Sequence, residues 1–254
     1  LVKTGQVHVD QYGTNITTPD VAQERATVVI ETTLKNTHAA AVTAELATII
    51  KAPSGKVIAQ TSLPVELPEN GSDIIKQTLE VKAPELWGIK NPALYTAVTE
   101  VRSGNQLTDR YETTFGIRTF RWDEATGFYL NGEPTKVLGV CLHHDLGCLG
   151  TAVNKRAIER QLQIMKDMGV NAIRTSHNPP VPELLELCDR MGLLVQDESF
   201  DMWRKRKSPY DYAQYFDEWH ERDLTDQIKR DRNHASVFMW SIGNEVLEQW
   251  SHAD

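Results

Sequence analysis

"VNAIRTSHNPPVPELLELCDRMGLLVQDESF", residues 170–200, holds the pattern that decides the fold. Near its ends, residues 170–173 and 193–196 are short, nearly continuous apolar runs. Runs of this kind belong to strands covered on both faces. Between them, Pro182 at the first position and Gly192 just past the last frame a helix over 182–191. Strand, helix and strand in that order imply parallel strands joined by a right-handed crossover.

The texture continues in both directions. "VLGVCL" (137–142) and "SVFMWSI" (236–242) read as two more dry strands. A helix is expected over 154–168, where Ile158, Leu162 and Met165 share a face between Asn154 and Gly169. Another is expected over 212–232, with Tyr212, Tyr215, Phe216 and Trp219 on one face behind Asp211. Four βα units result. A closed (β/α)8 barrel takes ~250 residues, and fewer than half as many remain from Lys136 onward. Half a barrel and a complete four-stranded open sheet are the alternatives, and the pattern alone does not separate them.

Upstream the period changes from helical to two. "ATVVIETTLKN" and "AVTAELATII" are β-branched and alternate, and "APSG" and "PENGSD" carry turn chemistry. A hairpin turning at Ser103-Gly104-Asn105 is expected within 94–116. Roughly seven short strands predict an antiparallel immunoglobulin-like sandwich. Residues 1–117 hold 17 of the 23 threonines but one of the six tryptophans, whereas 118–254 hold all three cysteines. Two domains, 1–117 and 118–254, follow.

Bulk composition excludes several classes. The 254 residues are 40% hydrophobic and 24% charged, as in globular proteins. A net charge of -8 argues against a nucleic-acid partner. No apolar run approaches the ~20 residues of a membrane helix. Cys141, Cys148 and Cys188 offer no even-numbered disulfide framework. Compartment is left open between export and the cytoplasm.

Parallel sheets gather function beyond the carboxyl ends of their strands. There the chain places His143, His144 and Asp145; then Arg174, Thr175, Ser176, His177 and Asn178; then Asp197 and Glu198, with Asp201 and Trp203 beyond; then Asn244 and Glu245. Each has a structural reading too. Glu245 would serve equally to cap the next helix. His177 would satisfy a loop, and Trp203 would fill the core. Asp197 is expected to pair with Arg174, and the run Arg204–Lys207 to be a solvated loop.

The chain contains no G-x-S-x-G elbow and no G-x-G-x-x-G loop. A metal-dependent hydrolase using His143, Asp145 and His177 remains open. So does a non-catalytic carbohydrate-binding piece built on the sandwich. The third option is carboxylate chemistry at a glycosidic bond, with Glu245 in a dry pocket near Trp203 and Trp240.

"LWGIKNPALYT", "FGIRTFRWDEATGFYLNGEPTKVLGVCLHHD", "NAIRTSHNPPVPELLELCDRMGLLVQDESFDMW" and "DRNHASVFMWSIGNE" together resemble glycoside hydrolase family 2 along essentially the whole chain. Within it the likeness is to the bacterial β-galactosidase-like branch. The resemblance implies an immunoglobulin-like β-sandwich followed by the N-terminal half of a TIM (β/α)8 barrel. It implies retaining hydrolysis of terminal β-D-galactosides or of related β-glucuronides or β-mannosides. It further implies Glu245 as general acid/base, Asn244 on the sugar 2-hydroxyl, His143 and His177 along the sugar subsite, and Asp201 and Trp203 lining the pocket. The family's attacking glutamate lies on a later strand, past Asp254, and its jelly-roll domain lies ahead of Leu1. A central piece with at most residual activity and uncovered strand edges is therefore expected. Some relatives bind a divalent ion after the "DE" pair; 199–204 here read "SFDMWR", which does not match that ligand pattern, so no metal and no cofactor are expected, with a divalent cation as the alternative. Many relatives also carry Asn where Cys141 stands. A carbohydrate is the expected partner, and self-association into a homo-oligomer is left open.

Overall fold

The structure is a computed structural model and describes residues 3–250; the expectations tied to Leu1 and Asp254 lie outside the described residues. The chain divides into two compact units. One comprises the residues up to Trp87 together with Ala93–Thr119, and the other comprises Gly88–Pro92 together with everything from Phe120.

The first unit is built of seven strands: β1 (Val7–Val21), β2 (Arg25–Asn36), β3 (Val42–Lys51), β4 (Val57–Leu67), β5 (Ser72–Lys82), β6 (Tyr95–Ser103) and β7 (Gln106–Phe115). They form two antiparallel sheets, ordered β1-β2-β5 and β4-β3-β6-β7. The two-residue period sorts the faces. In β2, Ala26, Val28, Ile30, Thr32 and Leu34 are buried while Arg25 and Lys35 are exposed. The inward faces meet in two clusters, one around Ile30, Ile50 and Phe115, the other around Leu34, Leu46 and Val101. Gly104 (φ 58°) makes the expected hairpin turn between β6 and β7. This unit is the sandwich that the turn spacing predicts.

The second unit opens with three short antiparallel strands: β8 (Phe120–Asp123), β9 (Gly127–Leu130) and β10 (Glu133–Pro134). The strand periodicity considered above does not anticipate them. Phe120, Trp122 and Phe128 from this small sheet cluster around Phe238. The main sheet follows: β11 (Gly139–His143), β12 (Ala172–Ser176), β13 (Leu194–Glu198) and β14 (Val237–Ser241). These are parallel and spatially sequential, the arrangement with which a TIM barrel begins.

The helices are α1 (Lys155–Asp167), α2 (Pro182–Met191) and α3 (Phe216–Asp231). Asn154 caps α1 by accepting a bond from Ala157 N at 3.0 Å. Ile158, Leu162, Leu185 and Cys188 pack on Ile173, Val195 and Val237 of the sheet. None of the helices among the described residues is long and apolar enough to cross a membrane.

Two elements differ from what the sequence pattern predicts. "SVFMWSI" is not a dry strand: Phe238 and Met239 are half-buried, and Trp240 and Ile242 are exposed. Among the described strands, β11 and β14 have a neighbour on one side only, so burial on both faces is confined to β12 and β13. The stripe on 212–232 also breaks. Residues 212–214 form a 3-10 turn capped by Asp211, α3 starts at Phe216, and Tyr215 and Trp219 stay exposed.

Candidate active site

The sheet's polar groups gather along one edge because strands in register end together. His143 pairs in register with Ser176, and Glu198 with Ser241. Side chains alternate between the faces of a strand, so Val195 faces the helices while Arg174 and Glu198 reach the other side.

Glu198 is the hub. It has no exposed surface, and Arg174 donates to both its oxygens, from Nε to Oε2 at 2.9 Å and from Nη2 to Oε1 at 3.1 Å. Ser241 Oγ donates to Oε2 at 2.7 Å. His177 Nδ1 lies 2.6 Å from Oε1. A carboxylate only accepts, so Nδ1 carries the hydrogen and Nε2 is left for a ligand. The His143 ring stands edge-on to His177, with centroids 5.2 Å apart. The Ser176–His177 peptide is cis.

The same guanidinium reaches the fourth strand. Arg174 Nη2 donates to Asn244 Oδ1 at 3.0 Å, and Asn244 Nδ2 donates to Asp201 Oδ1 at 2.9 Å. Burial raises the pKa of Asp201, but the Lys207 ammonium and the Asn244 amide outweigh it and hold this carboxyl below the ordinary carboxylate range. Trp203 donates its indole N–H to Ile242 O at 2.8 Å. Gly243 makes room for that indole: a Cβ there would lie 3.0 Å from Trp203 Nε1 and 2.5 Å from Val246 Cγ2. The structure thus gathers His143, His177, Asn244, Asp201 and Trp203 into a linked group on one rim.

Glu245 follows Asn244 but is exposed, with a backbone φ of 45°. It does not sit in the dry pocket expected for it. Trp240, also expected beside it, pairs in register with Asp197 on the strand and is exposed. The cause is again the single-sided position of β14, which leaves its end open to solvent among the described residues.

Three other readings change. Arg174 pairs with Glu198, not with Asp197. Asp197 lies on the helix side, where Gln227 Nε2 donates to Oδ1 at 2.8 Å; burial first, then the neighbouring Asp231 carboxyl, push its pKa up to about 8. Among the described residues no group of three or more His, Cys, Asp or Glu side chains is placed to hold a metal, so His143, Asp145 and His177 do not form the trio that a metal hydrolase would need. Asp145 instead accepts from Gly147 N at 2.7 Å. Lys207 departs from the solvated loop in its side chain alone: the residue as a whole is exposed, but the side chain is 21% exposed and reaches Asp201 and Asn244. Glu198 stands among the strand-end groups of the sequence without a role, and Lys207 only in a charge run; the structure ties both to the rim. The clue for Glu198 was its place at the strand end; for Lys207 the sequence offered none.

Comparison with known proteins places this rim in context. The profile described as "Glycosyl hydrolases family 2" matches residues 7–118, and "Glycosyl hydrolases family 2, TIM barrel domain" matches 124–254. The chain is 56% identical over 253 residues to the β-galactosidase BoGH2A of Bacteroides ovatus, covering 100% of this chain and 30% of that protein. It is 42% identical to a putative β-glucuronidase of Formosa agariphila, over 97% of this chain and 23% of the relative. A solved family 2 glycosyl hydrolase from Bacteroides cellulosilyticus superposes with a TM-score of 0.95 at 41% identity, covering 98% of this chain and 32% of that one. The chain therefore spans less than a third of the length of each of these proteins.

Proposed function

Because this chain belongs to glycosyl hydrolase family 2, we propose that it carries the acid/base half of a retaining β-glycosidase acting on terminal β-D-galactosides. The observation that carries the reading is the linkage Glu198–Arg174–Asn244–Asp201, which fixes an amide immediately before Glu245 on a rim with two histidines. Asn244 Nδ2 has two hydrogens, and Asp201 takes one. The other is free for a sugar hydroxyl, in keeping with the 2-hydroxyl contact that the family likeness implies. His177 Nε2 and His143 line the same subsite, with Trp203 at its edge.

In the proposed reaction Glu245 gives its proton to the glycosidic oxygen as that oxygen takes the electrons of the breaking bond to the anomeric carbon. A second carboxylate, ~5–5.5 Å away, attacks the same carbon. Glu245 then removes a proton from the water that releases the sugar. A retaining enzyme needs both carboxylates, and in this reading the four described strands supply the acid/base.

The sugar is read from likeness to the β-galactosidase, and the 42% identical putative β-glucuronidase favours a β-glucuronide as the second reading. In the full-length protein, Glu245→Gln is expected to lower kcat/KM on phenyl β-galactoside, whose leaving group needs a proton, by about 100-fold or more. Turnover near the original rate would remove the acid/base assignment. Comparing 4-nitrophenyl β-galactoside with the β-glucuronide decides between the sugars.

A further inference from the structure

We propose that Lys207 is a positioning residue for the acid/base step, its ammonium fixing the peptide that joins Asn244 to Glu245. This inference rests on the reading of Glu245 given above.

An ammonium has three N–H donors, and Lys207 Nζ has three oxygens around it. They are Asp201 O at 2.7 Å, Asp201 Oδ1 at 2.8 Å and Asn244 O at 2.7 Å. Two come from the loop after β13 and the third from the loop after β14. The two loops are joined elsewhere by Asn244 N to Phe200 O at 3.0 Å and by Lys205 N to Glu248 Oε1 at 2.7 Å. Lys207 differs from those ties in what it holds. Asn244 O and Glu245 N belong to one peptide plane, and φ of Glu245 turns about the bond leaving that plane. That φ is 45°, in the left-handed region that a residue with a side chain keeps only when its surroundings over-determine it. The bond from Lys207 fixes the plane and so restricts the direction in which the Glu245 side chain leaves the backbone. The lysine is held in turn: its own N donates to Asp211 Oδ2 at 2.6 Å, and Ser208 N donates to the same oxygen at 2.8 Å. A group placed to protonate one oxygen loses efficiency steeply with misplacement. Lys207 therefore acts on the step that needs a proton and spares the step that does not.

The test uses the full-length enzyme and two β-glycosides of the sugar that it hydrolyses fastest. The 2,4-dinitrophenyl glycoside leaves without a proton and the phenyl glycoside needs one. Lys207→Ala is expected to lower kcat/KM on the phenyl glycoside by about ten- to a hundredfold and on the dinitrophenyl glycoside by less than about threefold. Propylammonium, which replaces the deleted atoms, is expected to restore part of the phenyl rate. Equal losses on both substrates, or no loss on either, overturn the proposal. Glu245→Gln is measured beside it. If that variant shows no such split, the acid/base reading falls and this inference falls with it. If Glu245→Gln shows the split and Lys207→Ala does not, only the role of Lys207 is lost. Should the alanine variant not fold, Lys207→Gln is read by the same two substrates with the same outcomes.

Discussion

Arg174, His177 and Ser241 converge on one carboxyl without exposed surface, that of Glu198. Burying a carboxylate is costly unless every lone pair is engaged, and here three side chains engage it, Arg174 on β12, Ser241 on β14 and His177 just past the end of β12. The arrangement stiffens the rim and orients two groups that would face a sugar, Asn244 through Arg174 and His177 directly. Glu198→Gln keeps the shape but removes the charge opposite Arg174. It is expected to cost about 2 kcal/mol or more in stability, less than a fully buried pair because the guanidinium is 27% exposed, and to raise KM. Urea unfolding and steady-state kinetics read the two effects. Gly243→Ala acts on the same rim by contact, since its Cβ would press on the Trp203 indole and the Val246 side chain. A red-shifted, weaker tryptophan emission and a higher KM are expected, with little change in secondary structure by circular dichroism.

Among the elements, helix ends carry the clearest sequence marks. Asn154 caps α1 as its position before the periodic run predicts, and Asn154→Ala is expected to cost about 1 kcal/mol in chemical denaturation. Gly192 ends α2 in a left-handed turn, φ 69°, and a Cβ there would lie 2.4 Å from Ile89 O. Gly192→Ala is therefore expected to cost more than about 1 kcal/mol, from the backbone strain and from the displaced 88–92 segment. The glycine was legible as a helix stop; the close approach of Ile89 was not, because it depends on a segment about a hundred residues earlier in the chain. β14 shows the converse. Its apolar run identified a strand correctly but not its burial, because burial depends on which strands stand beside it.

For the second unit as a whole, the groups on the helix side of the sheet set its response to pH. Asp197 holds a proton when folded up to about 8, through burial and the Asp231 carboxyl beside it, whereas an unfolded aspartate releases it near ~3.9. Burial tends to lower His234, but the Asp189 carboxyl outweighs that and raises it. Both groups bind protons more tightly in the folded chain. Their contributions are fully present below the unfolded pKa values and are lost as pH rises through the folded ones. The melting temperature of this unit is expected to fall between pH 5 and pH 9, and Asp197→Asn to flatten the fall. Asp201, held low by Lys207 and Asn244 against its burial, acts in the opposite sense at the acid end, its contribution fading as pH drops through its folded value.

Local pattern determined the elements of this protein. A two-residue period made seven strands, and the change to helical stripes between apolar runs made a parallel sheet. Strand-end polarity marked one rim, and long signatures such as "DRNHASVFMWSIGNE" pointed to the family. These properties follow from backbone geometry and from neighbours a few residues apart. Only the tertiary structure decided that Arg174 takes Glu198 and not Asp197, that β14 is wet on its open side, and that Lys207 turns in to Asn244. Adjacent residues on a strand face opposite ways, and a long side chain finds its partner by distance in space. Neither the partner nor the covering neighbour is encoded near the residue that depends on it.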